Sequence, residues 1–200
     1  MIEAAVEFLE SLAATPWFMV VVFAIALLDS VIPVVPSETA LITGGVAAGF
    51  GDLPLVGVIA AGACGAILGD LLAYQVGITF GSVLERKAPE RWLDRIAWAR
   101  KALSRRAGIF LVFGRFIPLG RTAITMTSGI TRLPRTRFLG YIAIAGVIWA
   151  TYATGLGFLF GRRFQDNHAV AFTWAFVTAV GILVAVELTR RALGRRKARV

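Results

Sequence analysis

The chain is poor in the residues that build most catalytic and crosslinked sites. It holds one cysteine, Cys64, so neither an intrachain disulfide nor a cysteine-rich metal site can form. It holds one histidine, His168, which argues against a histidine-based catalytic or metal centre. Charge is scarce: 16% of residues are charged, against roughly 25% in soluble domains. No Lys or Arg precedes Arg86, while Glu3, Glu7 and Glu10 lie near the start. The basic start of a cleavable signal peptide is missing, so this segment is expected to be retained.

Apolar side chains are what the chain has in excess. Hydrophobic residues make up 58% of its 200 positions, and the mean hydropathy is +0.76. A water-soluble domain of this size leaves about 30% of its unfolded surface exposed, too much for that content. Composition therefore excludes a soluble enzyme, a disordered chain and a disulfide scaffold, and it places the protein in a bilayer. The net charge of +9 comes from clustered basic residues. Clusters beside apolar runs fit positive-inside topology and anionic lipid, not nucleic acid.

Residues 1–15 carry Ile2, Val6, Leu9 and Leu12 on one stripe, which predicts an interfacial helix. Residues 17–32 are a first apolar span, residues 32–51 a Pro/Gly-interrupted stretch, and residues 53–81 a long apolar span. Residues 85–106 hold eight of the 21 basic residues and place Trp92, Ile96, Ala99 and Leu103 between them, as an amphipathic surface helix does. A second interrupted stretch, 108–130, precedes spans at 138–161 and 169–189 and a basic tail. Residues 107–117 and 121–131 would each give about 16 Å of helix, half of a roughly 30 Å hydrocarbon core. Pro118 and Gly120 between them favour a turn, and two half-length helices joined by a turn make a re-entrant hairpin.

An internal repeat supports this reading. Val35–Leu41 lies over Pro118–Ile124, and Tyr74/Gly77 over Tyr152/Gly155, at an offset of about 80 residues. The expected fold is an all-α polytopic membrane protein with two inverted repeats, each a re-entrant helical hairpin followed by a spanning helix. The chain is one transmembrane domain: 1–84 is the first repeat with its N-terminal helix, 85–107 a cytoplasmic basic segment, 108–189 the second repeat plus a last span, and 190–200 a basic tail. Four full spans with both termini inside follow from the basic clusters.

Charged residues inside apolar sequence are functional candidates, because each costs about 2.5–3.5 kcal/mol at mid-membrane. Here they are Asp29, Glu38, Asp70, Arg115 and Arg121. On one continuous helix Arg115 and Arg121 would diverge by about 240°. Broken at Pro118–Gly120, they can converge on one pocket. Two guanidinium forks suit a phosphate, and Thr122 opens the following half-helix, whose N-terminus favours an anion. Thr125, Thr127 and Ser128 add hydroxyls that serve either the pocket or the freed backbone. By repeat position Glu38 is the counterpart of Arg121, and with Asp70 it is a candidate proton carrier. Asp29 and Asp52 are expected near the outer interface. No metal or cofactor is expected.

Pro33-Val34-Val35-Pro36-Ser37-Glu38, followed by Gly44/Gly45, and Arg115-Phe116-Ile117-Pro118-Leu119-Gly120-Arg121-Thr122, followed by Gly129, resemble the two hairpin motifs of the DedA family. That family shares its core with the VTT, or SNARE-associated, domain. Gly69-Asp70 with Tyr74 and Gly77 resembles the helix after the first hairpin, and the likeness covers about residues 20–165. Ser37 stands where the family usually has Gly, Leu111 where an aromatic is common, and a proline is missing from Thr122–Gly129. The resemblance implies an inner-membrane, multi-pass protein with re-entrant hairpins that moves polyprenyl phosphate, such as undecaprenyl phosphate, using the proton-motive force; no enzymatic activity is expected, since no nucleophile or metal cluster is visible in the sequence. It implies functional roles for Glu38, Arg115 and Arg121, with Asp52 or Asp70 as the second acid. Anionic lipid and protons are the expected partners, and self-association is left open. A proton-coupled solute or ion transporter or a membrane-homeostasis protein is the alternative, followed by a scaffold and a membrane phosphatase.

Overall fold

The computed structural model describes residues 15, 17–32, 37–87, 90–114, 120–165, 167 and 169–182, with backbone alone for 84–87, 90–95, 104 and 105. The predicted interfacial helix at 1–15 (Thr15 apart), the basic tail and the Arg115–Leu119 turn lie outside the described residues. Within them every regular element is helical. These are α1 Phe18–Val31, α2 Ser37–Phe50, α3 Leu55–Lys87, α4 Glu90–Phe113, α5 Gly120–Ile130, α6 Arg135–Arg163 and α7 Ala169–Ile182.

Two helices are long and apolar enough to cross a membrane, Leu55–Val83 within α3 and Arg135–Arg163. Their outward positions stay apolar: Leu72, Val76 and Phe80 on α3, and Ile144, Val147 and Leu159 on α6, are exposed. A water-facing helix would put charge there. The first apolar run is shorter than the sequence reading gave it. At 14 residues, α1 spans about 21 Å, too little for a roughly 30 Å core. Its length matches α2, also 14 residues, so α1 and α2 form a pair of short helices, not a full span followed by a hairpin. Of the last predicted span, 169–189, residues 183–189 lie outside the described residues; the rest is the shorter apolar helix α7, whose Ala171, Ala175 and Ala179 are buried at i, i+4 and i+8.

Glycine sets the helix packing. A Cβ added to Gly45 would meet the Thr154 backbone, and one added to Gly157 would meet Ile42, so α2 and α6 touch backbone to backbone. Gly129 of α5 meets Tyr74, and Gly77 of α3 meets Met126, in the same manner. Gly65 and Gly69 of α3 lie against Phe23 and Leu27 of α1. Small residues four apart let apolar helices approach where no water-driven force pushes them together. The contacts are reciprocal: α1 packs on α3 and α2 on α6, while α4 packs on α6 and α5 on α3. In each half the first helix thus rests on that half's own long helix, and the second short helix on the long helix of the other half.

The glycine contacts of α3 with α5 and of α6 with α2 correspond residue by residue. Tyr74, Gly77 and Gly81 take the places of Thr154, Gly157 and Gly161, an offset of 80 residues. Ile42, Gly45 and Val46 take the places of Met126, Gly129 and Ile130, an offset of 84. The proposed Tyr74/Gly77 match with Tyr152/Gly155 is therefore two residues out, and Gly155 has nothing within 4 Å of an added Cβ. The four-residue difference is one helical turn, removed between Gly129 and the buried Leu133. Leu53-Pro54 and Leu133-Pro134 open the two long helices alike. Before the first lies Gly51 at φ +97°, a left-handed position natural for glycine. Before the second, Arg132 adopts φ 54°, where a side chain costs about 1–2 kcal/mol. The Tyr74 hydroxyl donates to the Leu133 carbonyl at 2.6 Å, and its ring stacks on Phe138 at 4.4 Å, which ties this turn to α3.

This register makes a sharp test. Exposed helix glycines gain up to about 1 kcal/mol on replacement by alanine, whereas overpacking costs about 1–3 kcal/mol. Gly155→Ala is expected to hold or raise the thermal midpoint of the solubilised protein, and Gly157→Ala to lower it. Equal effects at the two positions would contradict the register.

Candidate functional site

The site grows from the two chain breaks. Pro33 and Pro36 cannot donate a backbone hydrogen bond, and α1 ends just before them with Ile32 N–H donating to Leu28 O at 2.7 Å. This leaves Asp29 and Ser30 in the last turn of α1 and Ser37 at the start of α2. In the other half, Gly120 starts α5, and Arg121 follows one residue inside it.

Arg121 joins these pieces. Its Nε donates to Asp70 Oδ1 at 2.9 Å and its Nη1 to Asp29 Oδ2 at 3.0 Å. Nη2 donates to the Ser30 hydroxyl and to the Ala66 carbonyl. Ser30 has a carbonyl to donate to in turn, Ala26 O at 3.0 Å. Ser37 donates to Asp29 Oδ2 at 2.6 Å, so one carboxylate oxygen bridges the break between α1 and α2. Thr122 donates to Ser30 O at 3.2 Å. The Trp149 ring of α6 lies 5.7 Å from the guanidinium carbon, within cation–π range. Side-chain exposure is 10% for Arg121, 17% for Asp29 and 2% for Asp70. Four helices therefore meet at one guanidinium, and α2 joins them through the Ser37–Asp29 bond.

The fork explains the choice of arginine. Two carboxylates, a hydroxyl and a carbonyl surround it in different directions, and only a planar group with several fixed N–H donors reaches all four. A lysine would bring one point charge to this site.

Among the sequence-predicted residues, Arg121, Thr122 and Asp70 come together. Glu38 sits in the first turn of α2, half-buried, and Arg121's carboxylate partners are Asp29 and Asp70 instead. The glycine register also places Ser37, not Glu38, at the position equivalent to Arg121. Arg115 lies outside the described residues. Asp52 is exposed at the turn after α2. Asp29, expected near the outer interface, is a partner of Arg121. Its signal was an Asp-Ser pair closing an apolar helix just before two prolines. Nothing in the sequence singles out Trp149. The Thr127 and Ser128 hydroxyls donate to Ala123 O and Ile124 O of their own helix, so they satisfy backbone and do not face a pocket.

Breaking a buried ion pair by removing one partner costs about 3–5 kcal/mol in soluble proteins. Arg121→Ala is expected to destabilise the purified protein by that order, seen as a lowered thermal midpoint. Asp52→Ala, at an exposed turn, is expected to leave the midpoint unchanged. An unchanged midpoint in Arg121→Ala would mean that this network does not hold the bundle.

Comparison with known proteins follows from this geometry. A family model described as the VTT domain matches residues 35–159. An uncharacterized membrane protein of Synechocystis sp. is 33% identical over 202 residues, covering 96% of this chain and 91% of its own. An uncharacterized membrane protein of Mycobacterium bovis is 32% identical, covering 82% and 80%. A protein of Lactococcus lactis named alkaline phosphatase-like is 28% identical, covering 81% and 80%. No solved structure matches the chain.

Proposed function

The chain belongs to the VTT domain family, and we propose on that footing that it carries a lipid phosphate, such as undecaprenyl phosphate, across the bacterial inner membrane. The observation that supports this reading is a buried guanidinium, Arg121, held by Asp29 and Asp70 where two interrupted segments meet. Such a group is costly in a membrane and marks a transport or relay site. Phosphate and carboxylate both accept bidentate bonds from arginine, so a lipid phosphate competes for the same fork. A proton reaching Asp70 or Asp29 neutralises that carboxylate and weakens its hold. The freed guanidinium then takes the phosphate, with Arg115 as the second clamp and Thr122 as a further donor. Glu38, one residue from Ser37, belongs to the same proton path. Proton entry and phosphate capture are thereby linked.

The reciprocal packing of short and long helices supports two inverted repeats, with α1–α2 and the second half of α4 with α5 as re-entrant hairpins. A multi-pass protein with its basic clusters inside follows. The reading is of a carrier, not an enzyme. The phosphatase-like name belongs to the Lactococcus relative.

The test is reconstitution in liposomes with labelled polyprenyl phosphate, with and without a pH gradient. The gradient is expected to accelerate transport. Glu38→Gln and Asp70→Asn should lose that acceleration. Arg121→Lys should lower transport about tenfold or more, since a hydrogen bond to a charged group is worth about 1.5–3 kcal/mol. Full transport by the lysine variant would reject the clamp. Release of inorganic phosphate from the lipid would favour a phosphatase instead.

A further inference from the structure

A second basic site lies away from Arg121, where α4 bends. Inside α4, Arg106 has φ −140° and ψ 30°, which breaks the helix between its basic first part and its apolar end. The bend opens a cavity of about 210 Å³ between α4 and the start of α6. Arg106, Arg137 and Tyr141 line its polar side, and Leu103, Ala107 and Leu133 its buried floor. Among the described residues no Asp or Glu lines it. Two exposed guanidiniums share one cavity, and like charges placed together favour an anion between them.

The ligand's second half is also written there. Ile109 lines the cavity and is 56% exposed, and Phe113, one turn further along α4, is 64% exposed. An apolar strip thus leads out of a doubly cationic pocket. Arg106 is the last basic residue before the apolar 107–114 stretch, and Arg137 the last before the apolar body of α6. Both mark a border from basic to apolar sequence, and Tyr141 is a residue suited to the headgroup level. At about 30 Å³ per water, the volume holds a phosphate and a few waters.

We infer that this cavity binds the phosphate of an anionic phospholipid, with Arg106 and Arg137 on the headgroup and the acyl chains along Ile109 and Phe113. The site is separate from the transport centre and does not depend on what Arg121 carries. A bound lipid here spans α4 and α6 and so braces the bend.

The test uses the purified full chain in detergent and reads the thermal midpoint during titration. The probes are short-chain phosphatidylglycerol, phosphatidylcholine with the same chains, and inorganic phosphate. Phosphatidylglycerol is expected to raise the midpoint saturably, as a ligand of the folded state does. Arg106→Gln/Arg137→Gln should weaken its apparent affinity tenfold or more. Arg162→Gln/Arg163→Gln removes the same charge elsewhere and should leave the affinity unchanged. The unliganded midpoint of each variant reports whether it has folded. Should the Arg106/Arg137 variant misfold, Tyr141→Phe, which removes one donor, should still weaken binding. Equal stabilisation by phosphatidylcholine, full affinity in a folded Arg106/Arg137 variant, or a response to inorganic phosphate alone would each overturn the lipid site.

Discussion

One guanidinium held between two carboxylates organises the centre of this protein. Arg121 is nearly sealed from solvent, and so is Asp70. Charges taken out of water are tolerable only with close partners and nearly every donor satisfied. That requirement places α5 against the end of α1, against the middle of α3 and beside Trp149 of α6. Through the Ser37–Asp29 bond it also fixes where α2 begins. The helix ends that flank the two chain breaks are thereby held together.

The glycine contacts make this arrangement reachable. A side chain at Gly45, Gly77, Gly129 or Gly157 would push α2 from α6 or α5 from α3. Arg121 stands eight residues, about two turns, before Gly129, and Ser37 stands eight before Gly45. Close packing along each short helix therefore sets how deep its first turn sits. Charge is the point at which the two halves differ: one presents a hydroxyl and the other a guanidinium at the equivalent place. A site built from one unsymmetrical pair inside a symmetrical packing scheme suits a carrier, whose binding group must sit between two similar halves.

Much of this was legible in the sequence, for physical reasons. Apolar runs, basic clusters and prolines that break helices read directly as membrane helices and interruptions. Arg121, Thr122 and Asp70 stood out because charge in apolar sequence is costly. The partner of Arg121 was less legible. Asp29 and Asp70 are 92 and 51 residues away from it, and such a pairing depends on which helices touch. The pairing of Tyr74/Gly77 with Tyr152/Gly155 read from sequence is two residues off the glycine contacts, because one helical turn is missing between Gly129 and Leu133. Tyr74 and Tyr152 look alike in sequence, yet the backbone contacts fall on Thr154. The sequence reading ends the surface helix at 106, but the cavity there was hidden because Arg137 and Tyr141 come from α6.

The central claim is that Arg121 and Asp70 act as a pair. A double-mutant cycle measures that pairing directly, from the stabilities of Asp70→Asn, Arg121→Gln, the combined variant and the parent chain. Each single change strands a buried charge, while the combined change strands fewer. The expected loss in the double variant is smaller than the two single losses together, by about 1–3 kcal/mol of coupling. Losses that add to within about 0.5 kcal/mol would contradict the pairing and the account of the fold built on it.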